Sequence, residues 1–166
     1  VYAEDVNGEK SQAYKFSQSV ICFVAGTKVQ TKYGLKSIEN IKIGDYVYSI
    51  NENTNKKELK KVINTMTSKT IITYEIKADG LTFEPSPRHP FYVVDKGYVR
   101  AYDLNVGDLL LTTHGAIKID NIIVKYHKEP VTVYNLTIED NHNFLITDRE
   151  FLVHNATSIA SGVVSP

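Results

Sequence analysis

The chain reads as a succession of short runs rich in Val, Ile, Thr, Tyr and Phe, each closed by Gly, Asn, Asp or Pro. Residues 27–31, 46–50, 71–76, 91–94, 109–113, 117–124, 131–138 and 144–147 have this composition, which suits half-buried pleated strands better than helices. Asn51-Glu52-Asn53-Thr54-Asn55 and Thr113-His114-Gly115 read as hairpin tips, because Asn and Gly accept the backbone that tight turns impose. Only 37–41 and 100–104 look helical, and each is barely one turn long. The pattern predicts an all-β fold with very little helix. Residues 1–21 are polar without a sustained period, and 156–166 are small and featureless. The expected organisation is therefore a flank at 1–21, a folded domain at 22–155 and a second flank at 156–166.

The central region repeats itself. Gly34-Leu35-Lys36-Ser37-Ile38-Glu39-Asn40-Ile41-Lys42-Ile43-Gly44-Asp45 aligns without gaps to Gly97-Tyr98-Val99-Arg100-Ala101-Tyr102-Asp103-Leu104-Asn105-Val106-Gly107-Asp108. Each copy continues into an apolar run, Tyr46-Val47-Tyr48 or Leu109-Leu110-Leu111. His89-Pro90-Phe91 and His142-Asn143-Phe144 each open a β-type run as well, which predicts related places for His89 and His142. The expectation is a compact, pseudo-twofold β-domain built by duplication.

Composition narrows the function classes. With 166 residues and 42% hydrophobic content, one domain can bury a sizeable core. The 19 basic side chains balance the 19 acidic ones, so charge points to neither nucleic acid nor an anionic membrane surface. No apolar run reaches transmembrane length and the first residues lack a signal-peptide layout, while Val1 in place of Met leaves targeting open. A monomer is expected, and the compartment is unassigned. One cysteine, Cys22, excludes an internal disulfide and any CxxC site.

Candidate chemistry lies near the end, in Phe151-Leu152-Val153-His154-Asn155-Ala156. An asparagine can attack its own backbone carbonyl through its side-chain nitrogen, closing a succinimide and severing the bond to the next residue. A preceding histidine can polarise that carbonyl or move the proton. Such a pair is common in turns, so its meaning depends on the rest of the chain.

The order of motifs resembles the hedgehog/intein (Hint) superfamily. Cys22-Phe23-Val24-Ala25-Gly26-Thr27 is similar to the opening motif, and Ser86-Pro87-Arg88-His89 to a TxxH motif with Ser for Thr. Val133-Tyr134-Asn135-Leu136-Thr137 with His142 is similar to the penultimate motif, and Val153-His154-Asn155 to the terminal one. The resemblance covers nearly all of 22–155 and implies the chain's own flanks as substrate, with no endonuclease and no cofactor. It implies that Cys22 attacks the carbonyl of Ile21 to form a thioester, with His89 protonating the departing nitrogen and Ser86 bonding the scissile peptide. At the other junction it implies cyclisation of Asn155 with release of Ala156, assisted by His154 and His142, with geometry supplying most of the rate.

Two departures concern one step. Inteins usually have Cys, Ser or Thr after the terminal Asn, and many have Asp where this chain has Asn135, placed here as a supporting residue. Ala156 offers only its backbone amine. The pattern is closest to bacterial intein-like domains of type A, which implies a bacterial host and cleavage at both ends with some ligation. Two other readings stay open: an inactive Hint-fold module, and a metal site of Cys22, His89, His142 and His154, disfavoured by the absence of HxxxH or CxxC spacing. Zinc is otherwise expected only as an inhibitor that ties up the nucleophile. A sterol-accepting reaction does not fit an Asn terminus. His114 and His127 match no motif and are expected at the surface.

Overall fold

The computed structural model describes residues 21–154. In chain order its strands are β1 (Phe23–Val24), β2 (Lys28–Thr31), β3 (Gly34–Ser37), β4 (Tyr46–Asn51), β5 (Lys56–Ala78), β6 (Leu81–Phe83) and β7 (Pro90–Val93). They continue as β8 (Gly97–Arg100), β9 (Leu109–Thr112), β10 (Gly115–Lys118), β11 (Asn121–Ile138), β12 (Asn143–Ile146) and β13 (Phe151–His154). The paired strands run β1-β11-β5-β4-β2-β12-β13-β7-β9-β10, with β3, β6 and β8 attached to β2, β5 and β7. The two short helical runs are single 3-10 turns at Ile38–Asn40 and Ala101–Asp103. The fold is all-β, as the sequence pattern predicts.

The duplication is visible in the register. Thr31 pairs with Val47 and Val29 with Ile146 in the first half; Val93 pairs with Leu110 and Phe91 with Val153 in the second. The β12–β13 hairpin therefore lies between the halves and joins each through one strand. Both copies of the repeat fold the same turn. Gly44 and Gly107 sit at φ 97° and 96°, a region where a Cβ is strained, and Asp45 and Asp108 each accept a backbone N–H three residues upstream. A lysine, Lys36 or Lys96, lies 3.0 Å from each of those carboxylates.

Two strand boundaries differ from the expectation. The run at 117–124 is broken by Ile119-Asp120 between β10 and β11, because Ile119 bonds back to Asp108 and Gly107 to close the second repeat. Conversely β5 and β11 are single long strands. The polar stretch 56–70 holds its strand by pairing with β4 and then β11, although most of its side chains face solvent. β11 continues past Pro130 because the proline falls at a register shift between Tyr126 and Val131, where no ladder N–H is required.

The core is aromatic at its centre. Phe23 packs edge-on against Phe91 and Phe144, while Phe83 stacks on Phe91 and meets Phe151 at a tilt, with the aliphatics of β2, β4, β5 and β13 around them. Cys22 stands apart from this core, in a smaller cluster with Val133, Val24 and Val131.

His89 and His142 are not related positions. The His89 carbonyl accepts from Ala101 N–H as the Thr27 carbonyl accepts from Ile38 N–H, so Thr27 is the counterpart of His89. His142 occupies the left-handed turn that opens β12. Their similarity is that of any histidine before a strand, too short a pattern to carry register.

Candidate functional site

The peptide between Ile21 and Cys22 is gripped on both edges. β1 pairs with β11 through Phe23↔Tyr134 and Val24↔Val133, which sets Asn135 beside the residue preceding the strand. The Asn135 carboxamide Nδ2 donates to the Ile21 carbonyl at 2.7 Å. Its Oδ1 accepts the Leu136 N–H at 2.8 Å, which fixes which end of the amide faces the Ile21 oxygen. On the other side Ser86 Oγ accepts the Cys22 N–H and Ser86 N–H donates to the Cys22 carbonyl, both at 2.8 Å. One peptide bond thus has its oxygen held by Asn135 and its nitrogen by Ser86.

The segment 86–89 is a turn closed by His89 N–H donating to Ser86 O at 3.3 Å. This i to i+3 closure is why a hydroxyl and an imidazole three residues apart can serve one site. His89 is fully buried, its ring 4.1 Å from that of Phe23 and flanked by Phe91 and Phe144. Both of its ring nitrogens are buried without a partner at full hydrogen-bond geometry among the described residues, although the His154 backbone is near enough to favour the protonated ring slightly. Burial, with a smaller contribution from nearby His154, pushes its pKa down to about 3, so the ring is neutral at physiological pH. A neutral imidazole holds one N–H and one lone pair, and can receive a proton and release another. Orphaned polar atoms of this kind are rare in native interiors and concentrate at functional sites.

Cys22 is 2% exposed, and burial drives its thiol up to about 12. Cys22 therefore rests as a thiol rather than a thiolate.

β13 brings the other end of the domain to the same place. Val153 pairs with Phe91, next to His89, and the buried His154 follows it. His154 faces Asn143 across the β12–β13 ladder, and its ring meets that of Tyr98 at 4.8 Å, nearly perpendicular. His142 is half-buried at φ 56°, directly before the Asn143–His154 pair, with its Nδ1 buried and unpartnered among the described residues. Residues 1–20 of the 1–21 flank, Asn155, and the whole 156–166 flank with Ala156 lie outside the described residues.

The structure thus brings Ile21, Cys22, Ser86 and Asn135 together, with His89 joined to Ser86 through their turn and packed on Phe23, His154 near His89, and His142 at the end of the ladder from which His154 emerges. No lone motif announced the donor to the Ile21 carbonyl; a donor on β11 follows only from the β1–β11 pairing. His114 is exposed as expected, but His127 is half-buried and bonded to the buried Thr73 at 2.7 Å, because Thr73 and Glu84 Oε2 lie beneath it. Among the described residues no three His, Cys, Asp or Glu side chains are placed to hold a metal ion. None of the candidate residues lines the three surface cavities described, the largest of about 610 Å³. The site closes on its own backbone.

Comparison with known proteins agrees with this architecture. The model of the pretoxin Hint domain family matches residues 28–156, beginning beyond Cys22. The solution structure of a bacterial intein-like domain from Clostridium thermocellum is similar at 38% identity and a TM-score of 0.79, over 82% of this chain and 100% of that one. The gp41-1 intein crystal structure is 28% identical with a TM-score of 0.66, over 82% and 100%. A DnaB intein from Synechocystis sp. PCC 6803 shares the fold at 21% identity and a TM-score of 0.69, over 82% and 99%. No curated protein matches the chain. The chain belongs to the pretoxin Hint family and carries the fold of the hedgehog/intein superfamily.

Proposed function

We propose that the protein is a self-processing domain that cleaves the peptide bonds at Ile21–Cys22 and Asn155–Ala156 and joins a fraction of the released flanks. The observation that carries this reading is the double grip on one buried peptide, Asn135 on its oxygen and Ser86 on its nitrogen, beside a buried thiol and a buried imidazole.

In the first step Cys22 Sγ attacks the Ile21 carbonyl carbon. The oxygen gains negative charge and the Asn135 N–H strengthens its bond to it, as an oxyanion donor does. The proton lost by the thiol is the one the Cys22 nitrogen needs to leave, and neutral His89 can pass it with no net change of its own. The C–N bond breaks, leaving a thioester on Cys22 and a free Cys22 amine. Ser86, having held the N–H in the ground state, keeps that nitrogen facing the site.

At the second junction the Asn155 side-chain nitrogen attacks its own carbonyl carbon, closing the succinimide and expelling the Ala156 amine, which takes up a proton. His154 and His142 are the groups proposed to polarise the carbonyl and carry that proton. With no hydroxyl or thiol on Ala156, the thioester is consumed by water, which separates the flanks, or by the freed Ala156 amine, which joins them.

Mass spectrometry of the full chain over time tests this, using wild type, Cys22→Ala and Asn155→Ala, each with and without added thiol. Thiol should release residues 1–21 from wild type and Asn155→Ala but not from Cys22→Ala. C-terminal cleavage should vanish only in Asn155→Ala. Identical products from all three would refute the proposal.

A further inference from the structure

The ring that packs against His154 belongs to a cluster built from residues of three different strands and the turn after β4. The ring of Tyr98, on β8, meets the His154 imidazole nearly perpendicular, at 4.8 Å and 78°. Its other neighbour is Tyr92, its cross-strand partner on β7, at 5.1 Å and 84°. The Tyr98 hydroxyl donates to Glu52 Oε2 at 2.7 Å, and the same oxygen accepts the Asn143 Nδ2 at 2.9 Å. Asn143 is fully buried; its carboxamide accepts Ile50 N–H and donates to Ile50 O, which ties β12 to the end of β4. Asn143 is also the residue registered opposite His154. Burial and the Glu52 charge push the Tyr98 phenol further up from its usual range, so it remains a donor.

An imidazole at the end of a strand can turn about two side-chain bonds, and a proton-transfer group a fraction of an ångström out of line loses much of its effect. The edge-to-face contact fixes one side of that ring, and the Glu52 carboxylate, shared by Tyr98 and Asn143, fixes the ring that makes the contact. We infer that Tyr98 and Glu52 are positioning residues for His154 and act on C-terminal cleavage alone. This rests on the self-processing reading above.

The test separates the two junctions. C-terminal cleavage is timed in a Cys22→Ala background and thiol-induced N-terminal cleavage in an Asn155→Ala background, across pH 6–9. Tyr98→Leu, which removes the ring, should slow C-terminal cleavage about tenfold or more. Tyr98→Phe, which removes the hydrogen bond to Glu52, and Glu52→Ala, which removes that bond and the one from Asn143, should each slow it about fivefold or more. Glu52→Gln keeps an acceptor oxygen and should stay within about twofold of the parent, while the thiol reaction stays within about twofold throughout. Glu52 is exposed, so its variants should keep the parent melting temperature. Equal slowing at both junctions, loss in Glu52→Gln equal to that in Glu52→Ala, or no slowing in Tyr98→Leu overturns the inference while leaving self-processing intact. No Asn155-dependent cleavage in the parent overturns both.

Discussion

The two halves of the domain share a scaffold and differ in what stands on it. Thr27 and His89 occupy equivalent backbone positions, each carbonyl accepting from the first residue of a 3-10 turn. The Thr27 hydroxyl folds back on the Val24 carbonyl at 2.8 Å and is satisfied locally. The His89 ring is sealed among phenylalanines with neither nitrogen partnered at full hydrogen-bond geometry among the described residues. The two frames are similar, and the proposed chemistry falls in the one that β1 and β13 both approach. A satisfied side chain stabilises; an unsatisfied buried one is a candidate for chemistry.

Removing His89 should break the comparison most strongly. His89→Ala is expected to slow thiol-induced release of residues 1–21 by roughly 10²–10⁴-fold, the range for a lost proton-transfer group, whereas Thr27→Ala should leave that rate within about twofold. Product mass analysis in the Asn155→Ala background measures both. If the two variants slow the reaction alike, the halves are not chemically distinct.

The pH profile sharpens the same contrast. The Cys22 thiol is driven to about 12, and in the proposed mechanism His89 passes its proton to the departing nitrogen within the site, so N-terminal cleavage should change little from pH 6 to 9. A rise of about tenfold per pH unit would mean that free thiolate attacks instead, without the His89 relay. His89 also enters stability. Its folded pKa of about 3 lies below the ordinary 6.5, so the unfolded chain takes up the proton first. The neutral ring costs nothing extra above pH 6.5, and stability falls as pH drops from 6.5 towards 3. His89→Leu should flatten that part of the curve in denaturant titrations.

Asn135→Ala should cost about 100-fold in the N-terminal step by removing the side-chain donor to the Ile21 oxygen, with C-terminal cleavage retained in the Cys22→Ala background. Ser86→Ala should cost less, about fivefold to tenfold, because its hydroxyl accepts from the nitrogen rather than stabilising the developing charge. Equal losses would place the two groups on the same footing.

The smallest effect concerns what the halves have in common. Gly44→Ala and Gly107→Ala should each destabilise the fold by about 1–2 kcal/mol, since both force a Cβ into left-handed backbone, and the two values should agree within about 0.5 kcal/mol. Urea denaturation measures this. A large inequality would show that one turn bears strain the other does not.

Much of the site was legible because its parts are local. Cys22, Ser86 with His89, and Val153-His154-Asn155 are short runs whose chemistry is carried by residue type, and a turn of i to i+3 needs no tertiary information to bring 86 to 89. The strand composition and the repeated Gly-Asp turns likewise follow from local preferences, as do the hairpin tips. What local preference could not reach was pairing. The polar run at 56–70 becomes strand because two neighbours bond its backbone, and Pro130 passes through β11 because a bulge receives it. The His89–His142 resemblance failed for the same reason in reverse: three residues of similar pattern carry no register.

The reactive types and their order along the chain are therefore properties of the sequence, since each depends on one side chain and its immediate neighbours. Whether Asn135 faces the Ile21 oxygen, whether His89 is buried, and whether Tyr98 touches His154 are decided only by tertiary structure. Each of these joins segments far apart in the chain, and only the packing of β1 on β11 and of β13 on β7 sets their distances.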